Sequence, residues 1–192
     1  MYRYIIIYIL LTINFLISQN LTAYDLAKMV DQRSQPKSSK SEISMELINI
    51  KKDRKKTKEM VSISKDNGDK MLLFFRSPKR DKGVGFLKIE TDSGDKLSLF
   101  IPKLKKIRRV SSSNQSDSFM GSDLSFEDML SRDLDDYDYK IISNADDIYQ
   151  MESICKDGNS EYYRHISWIN KDDLFKTKEE SYDKENNLLK QK

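Results

Sequence analysis

Residues 118–129 read SFMGSDLSFEDM, and the reading of this stretch decides the fold. Phe119 and Met120 form an apolar pair, and Gly121 supplies a backbone position open to positive φ. Ser122 or Asp123 then caps a short helix predicted over Leu124–Leu130, with Phe126, Met129 and Leu130 on one side. Ser122 is followed three residues later by Ser125, and Asp123 by Phe126, so a reciprocal capping box is absent. The chemistry is that of a buried connector, an apolar plug between a basic strand and an acidic loop.

Upstream of the plug the period is two. Ile43, Met45 and Leu47 alternate with Ser44 and Glu46, as in a half-buried strand. Lys51–Lys58, KKDRKKTK, holds six basic residues in eight and reads as a solvated hairpin loop with its flanks. Its functional alternative is a phosphate or anionic-lipid contact. A strand through Met60–Ser64 leads to Asp66-Asn67-Gly68-Asp69, where Asn-Gly predicts a type I′ hairpin turn. Lys70–Arg76 contains MLLFF, apolar on both parities, which predicts a strand covered on both faces. Strands follow over Gly83–Thr91 and Leu97–Ile101, the latter with Phe100 opposite Leu97 and Leu99. Lys103–Ser113 carries five basic residues, read first as edge protection and second as a partner contact.

Downstream come the acids Asp133, Asp135, Asp136 and Asp138, then strands over Tyr137–Ser143, Ile148–Lys156 and Glu161–Asn170. Leu174–Tyr182 follows, and Leu188-Leu189 begins a last strand that stops at Lys192. An unpaired strand there would leave backbone groups unsatisfied, so the sequence reads as cut short or frayed at this end.

Composition excludes several classes. The 192 residues are 34% charged and 38% hydrophobic, with formal net charge +3. That balance is not the dense basic face of nucleic-acid recognition. Cys155 is the only cysteine and His165 the only histidine. Neither a disulfide framework nor a Cys/His metal cluster can be assembled, and no G-x-S-x-G elbow supports a hydrolytic triad. Cys155 reads as a core residue and His165 as a structural or surface one. No catalytic residue, metal ligand or cofactor is expected.

Residues 1–23 read as a secretory signal peptide. Arg3 precedes an apolar run, Ile5–Ile17, of thirteen residues interrupted by Thr12 and Asn14. A membrane span needs about 20 apolar residues. Ala23 and Ser18 are the candidate cleavage positions, and an uncleaved anchor is the alternative. Loss of this segment removes Arg3 and no acid, which lowers the net charge from +3 by one. Ala23–Arg33 then forms an amphipathic helix through Leu26, Met29 and Val30, and residues 24–192 form one domain.

The order of these pieces resembles a known family. DLAKMVDQR, MLLFFRSPKRDKGVGFLKIE, LSLFIPKLKKIRRVSSS, SFMGSDLSFEDM and WINKDDLFKTKEESYDKENNLLK together resemble the outer-membrane lipoprotein-sorting protein family within the LolA/LolB/LppX-like superfamily. SFMGSD directly after the basic IRRV strand carries most of the likeness. The resemblance implies an α+β fold: a large curved antiparallel sheet, an unclosed β-barrel, with helices packed on the concave face. It implies a periplasmic protein that moves lipids or lipoproteins, with an inner-membrane lipid exporter as partner and transient contact with a membrane surface.

The residues bear on that function independently. Each CH₂ kept from water contributes about 0.8 kcal/mol, so a sixteen-carbon chain needs a shelter worth roughly 12 kcal/mol. A sheet lined with aromatic and Met side chains supplies one, where a close-packed core has no void to give. Phe74, Phe75, Phe86, Leu99, Phe119, Met120 and Met129 are the candidate lipid-binding residues, with plain core packing as their alternative role. The competing functional class is a lipid-sensing regulatory module that signals to a membrane partner.

Overall fold

A computed structural model describes residues 21–91, 94–157 and 160–192. The signal peptide expected over residues 1–23 lies outside that range except for its last three residues. The described residues divide into two compact units, residues 21–33 with Asp133–Lys192, and Ser34–Arg132.

The second unit is a six-stranded antiparallel meander: β1 (Ser38–Asn49), β2 (Arg54–Lys65), β3 (Lys70–Ser77), β4 (Gly85–Ile89), β5 (Lys96–Ile101) and β6 (Lys106–Val110). Each strand pairs with its neighbour in sequence, and β1 and β6 form the two edges. The turn between β2 and β3 is the one the sequence places there, with Lys65 opposite Lys70. It is a longer loop than a two-residue type I′ turn: Asp66, Asn67 and Gly68 all have positive φ, at 56°, 57° and 102°. The basic run Lys51–Lys58 is only partly a solvated loop. Lys51 and Lys52 lie in the β1–β2 turn, Asp53 takes φ 44°, and Arg54–Lys58 belong to β2. Lys58 is buried.

Alternation sets the two faces of this sheet. Met60, Leu73, Phe75, Phe86 and Leu97 point to the inner face and are buried, with Ile43, Met45 and Leu99 packed against them. Strand β3 departs from expectation. Leu73 and Phe75 are buried, but Leu72 and Phe74 are exposed on the outer face. The run MLLFF is apolar on both parities without being covered on both.

Among the described residues the first unit contains one α-helix, α1 (Ala23–Asp31), and a five-stranded antiparallel sheet: β7 (Tyr137–Ala145), β8 (Ile148–Cys155), β9 (Arg164–Asn170), β10 (Lys176–Tyr182) and β11 (Leu188–Gln191). Thr22 caps α1, its Oγ1 accepting from the Asp25 N–H at 3.0 Å. The buried face of the helix, Leu26 and Ala27, packs on Met151 and Ile169. Tyr24 stacks edge-on against Tyr139 at 6.2 Å. The last strand is paired: Lys192 N–H donates to the Glu179 carbonyl at 2.8 Å, and Glu179 N–H to the Lys192 carbonyl at 3.0 Å. The expected α+β, antiparallel, unclosed architecture is thus present, distributed over two sheets.

Candidate functional site

The inner face of β2–β5 is an aromatic floor, and residues 111–132 are laid onto it. Phe119 is fully buried. Its ring lies 6.2 Å from Phe75, 5.1 Å from Phe86 in an edge-to-face arrangement, and 5.5 Å from Phe126 at 90°. Phe86 and Phe126 are 5.8 Å apart. Such pairs contribute about 0.5–1.5 kcal/mol each beyond the area they bury. Met120, Leu124, Met129 and Leu130 pack around this cluster.

The backbone that delivers these rings is not the expected helix. Residues 124–130 contain only one turn of 3₁₀-helix, Glu127–Met129. Short polar side chains compete for the backbone groups a helix would use. Ser122 Oγ donates to the Phe119 carbonyl at 2.7 Å and accepts from Leu124 N–H at 3.2 Å. Asp128 Oδ2 accepts from both the N–H and the hydroxyl of Ser125, at 2.8 and 3.1 Å. Ser118 pairs with Ser125 in an isolated antiparallel bridge, and Phe119 N–H donates to the Leu124 carbonyl at 2.6 Å. The loop is therefore a tight lariat that turns Phe119 and Phe126 to one side. Met120 at φ 54° and Gly121 at φ 76° make the reversal, as the glycine suggested. Ser131 N–H donates to Glu90 Oε1 at 2.8 Å, which anchors the end of the loop near β4.

Charged groups also reach this face: Lys88 is buried opposite Leu97 and bound to Glu90 at 2.9 Å, and a second ion pair lies beside Phe75. Lys58 Nζ donates to Asp81 Oδ2, both side chains are almost fully buried, and the ammonium lies 5.7 Å from the centre of the Phe75 ring. Burial alone would raise the Asp81 carboxyl. The Lys58 hydrogen bond and charge, helped by Arg80, hold it below its ordinary value instead.

Of the seven candidate lipid-binding residues, six belong to this cluster: Phe75, Phe86 and Phe119 at its centre, Leu99, Met120 and Met129 around them. Phe74 does not. It is one residue from Phe75 on a strand, so its side chain leaves on the opposite face and is exposed. Phe126, Met60, Leu73, Val84 and Leu97 complete the buried cluster. Phe126 was legible as an apolar helix position, and Met60 and Leu97 by their alternation with neighbours of the other parity.

The five-stranded sheet buries a different chemistry. Register aligns Ser153, His165 and Ser181 in one row, and Met151, Ser167 and Glu179 in the next. All six are buried. His165 Nδ1 and Ser181 Oγ are 2.9 Å apart, and the imidazole lies between the rings of Tyr137 and Tyr162 at 5.8 and 5.9 Å. Glu179 accepts from Lys176 Nζ at 2.6 Å and from Ser167 Oγ at 3.2 Å. His165 thus takes a structural place inside a polar ladder, and Cys155 is buried beside Tyr137 on the paired strand. Among the described residues no group of His, Cys, Asp and Glu could hold a metal ion.

Comparison with known proteins sets these features in context. One family model matches residues 67–192; its description reads "-like: Uncharacterized protein". No curated protein matches the sequence. A crystal structure of a DUF1329 family protein from Desulfovibrio piger is similar with TM-score 0.77 at 32% identity, over 86% of this chain and 74% of that one. A putative outer membrane lipoprotein-sorting protein domain from Vibrio parahaemolyticus gives TM-score 0.77 at 29% identity, over the same shares, 86% and 74%. A LolA superfamily protein from Nitrosomonas europaea shares the fold at TM-score 0.64 and 18% identity, over 87% of this chain and 74% of that one.

Proposed function

The chain belongs to a LolA-like family that includes the DUF1329 protein, and from that premise we propose that it is a periplasmic carrier of the acyl chains of lipids or lipoproteins. In this reading the tails of a lipid or lipoprotein rest on the inner face of the six-stranded sheet, where the lariat now lies. Phe119 is the observation that carries it. An aromatic side chain 0% exposed is held by a loop of short 3₁₀ turns and one isolated bridge, shaped by hydrogen bonds that run within the loop itself. Such a cover can leave the sheet without opening a strand pair.

Magnitudes favour an exchange. Burial of Phe119 and Phe126 with partial burial of Met120 and Met129 contributes roughly 6–10 kcal/mol. A sixteen-carbon tail is worth roughly 12 kcal/mol by the same rule. The two occupants are close enough for a membrane or partner to tip the balance either way, which a population shift requires. The chemistry asks for no catalytic group: binding, shelter and release suffice.

The test is a titration of the protein with a fluorescent fatty acid, with native mass spectrometry for lipid that copurifies. Saturable binding, altered by Phe119→Asp and by the milder Met129→Ser, is expected. Absence of saturable binding and of copurified lipid would overturn the proposal. Delivery of the probe to acceptor vesicles separates a carrier from a sensing module, which would bind lipid without passing it on.

A further inference from the structure

The outer face of the six-stranded sheet is built for a contact of its own. Strand register places Ile63, Leu72 and Leu87 in one row, which continues through Ser98 to Arg109. The next row runs Val61, Phe74, Gly85, Phe100 and Ile107. Ile63, Leu72, Phe74, Leu87, Phe100 and Ile107 are all exposed, from 39% at Leu87 to 74% at Ile107. They adjoin one another across five strands, about 19 Å at the usual strand spacing. Scattered single apolar residues need no explanation, but a contiguous patch of this kind marks an interaction surface.

Its border is cationic. The row beside Ile63, Leu72 and Leu87 reads Lys65, Lys70, Ile89 and Lys96. Lys40 stands opposite Ile63, and Arg109 ends the Leu87 row. Two acids flank the patch on this face: Glu42 is bound by Arg76 at 2.8 Å and Glu59 accepts from Ser44 Oγ at 2.8 Å; Lys70 is bound by Asp66 at 2.7 Å. Lys40, Lys65, Lys96 and Arg109 form no ion pair among the described residues. The Asp66 carboxylate also feels the charge of Lys65, but Lys40, Lys65, Lys70, Arg76, Lys96 and Arg109 outnumber Glu42, Glu59 and Asp66, so the face combines apolar side chains with an excess of positive charge.

We propose that this face docks on the surface of an anionic lipid bilayer. Short apolar side chains spread over a broad face suit the boundary between headgroups and acyl chains, and Lys and Arg at the border suit anionic headgroups. A second copy of this chain fits less well, because it would bring the same positive border against itself. The inference stands apart from the carrier reading, which concerns the opposite face of the sheet.

The test places a solvent-sensitive fluorophore on the full chain at Ile107→Cys, with Lys184→Cys in the other unit as control. Cys155 is buried and does not compete for the label. Vesicles of phosphatidylglycerol are expected to shift the emission at position 107 to the blue and to leave position 184 unchanged. The apparent dissociation constant is expected to weaken about a hundredfold in Lys65→Gln/Lys96→Gln/Arg109→Gln, at about fivefold per cation. Half-molar salt on the unsubstituted chain gives the same loss without any substitution. Four results would overturn the proposal: a water-like label at 107 while vesicles bind the protein through another segment; an equal response to phosphatidylcholine; a response that grows with protein concentration without vesicles; or an equal response to soluble polyglutamate.

Discussion

The protected faces of the two sheets differ more than their folds do. On the six-stranded sheet the most deeply buried residues include Phe75, Phe86, Phe119, Met60 and Leu97. On the five-stranded sheet His165, Ser167 and Ser181 are buried as deeply, beside Ile169. Equal burial is thus reached by two routes. Where the cover meets the first face the contacts are non-directional, the ion pairs Lys58–Asp81 and Lys88–Glu90 lying within the sheet unit itself, and an apolar body of suitable size can replace that cover at little cost. The second is held by paired polar groups, and a substitute that cannot reproduce their hydrogen bonds leaves them unsatisfied. Only the first is suited to exchange its contents.

Four substitutions probe this contrast, from the largest effect to the smallest. Phe119→Ala is expected to cost about 4 kcal/mol of unfolding free energy, read by urea denaturation, since it empties the centre of the aromatic cluster. A cost near 1 kcal/mol would mean that the floor closes over the gap and that the cover is dispensable. Asp81→Asn is expected to cost about 3 kcal/mol, because it strands the Lys58 ammonium in the same apolar setting. The pair also predicts a pH dependence. The Asp81 carboxyl is held below its ordinary value, so its contribution is complete above about pH 4 and is lost as pH falls through the lower folded value. Acid titration of stability should therefore be flatter in Asp81→Asn than in the unsubstituted chain.

Gly121→Ala is expected to cost about 1–2 kcal/mol. No atom lies within 4 Å of the added Cβ, so the cost is that of φ 76° alone. Ser181→Ala in the other sheet is expected to cost about 1 kcal/mol, the net worth of its bond to His165. If Ser181→Ala proved as costly as Phe119→Ala, the polar ladder would be as strongly coupled as the aromatic floor, and the contrast would fall.

Alternation made most of this legible in advance. Ile43, Met45, Leu97 and Leu99 announced an inner face, and Asp66-Asn67-Gly68 announced a hairpin. Phe74 was placed with Phe75 because a strand apolar on both parities reads as covered on both sides. Its exposure depends on what the outer face meets, which no local pattern encodes. The helix expected over Leu124–Leu130 gave way to the lariat. Apolar spacing fits both backbones, and the decision rests with Ser122, Ser125 and Asp128 binding backbone groups nearby. Lys58 looked like one more member of a solvated basic run. Only register, which brings β2 beside the turn carrying Asp81, reveals it as a buried charge.

Every strand pairing in both sheets joins strands adjacent in the chain. Such local connectivity lets each hairpin close without waiting for distant sequence, and favours fast folding for an all-antiparallel sheet. It also sets the order of the parts along the chain. Strands β1 to β6 are complete by Val110, whereas Phe119 and Phe126 emerge later. The aromatic floor is thus specified by the chain before its own cover, which makes that cover an appendix to a sheet already fully encoded.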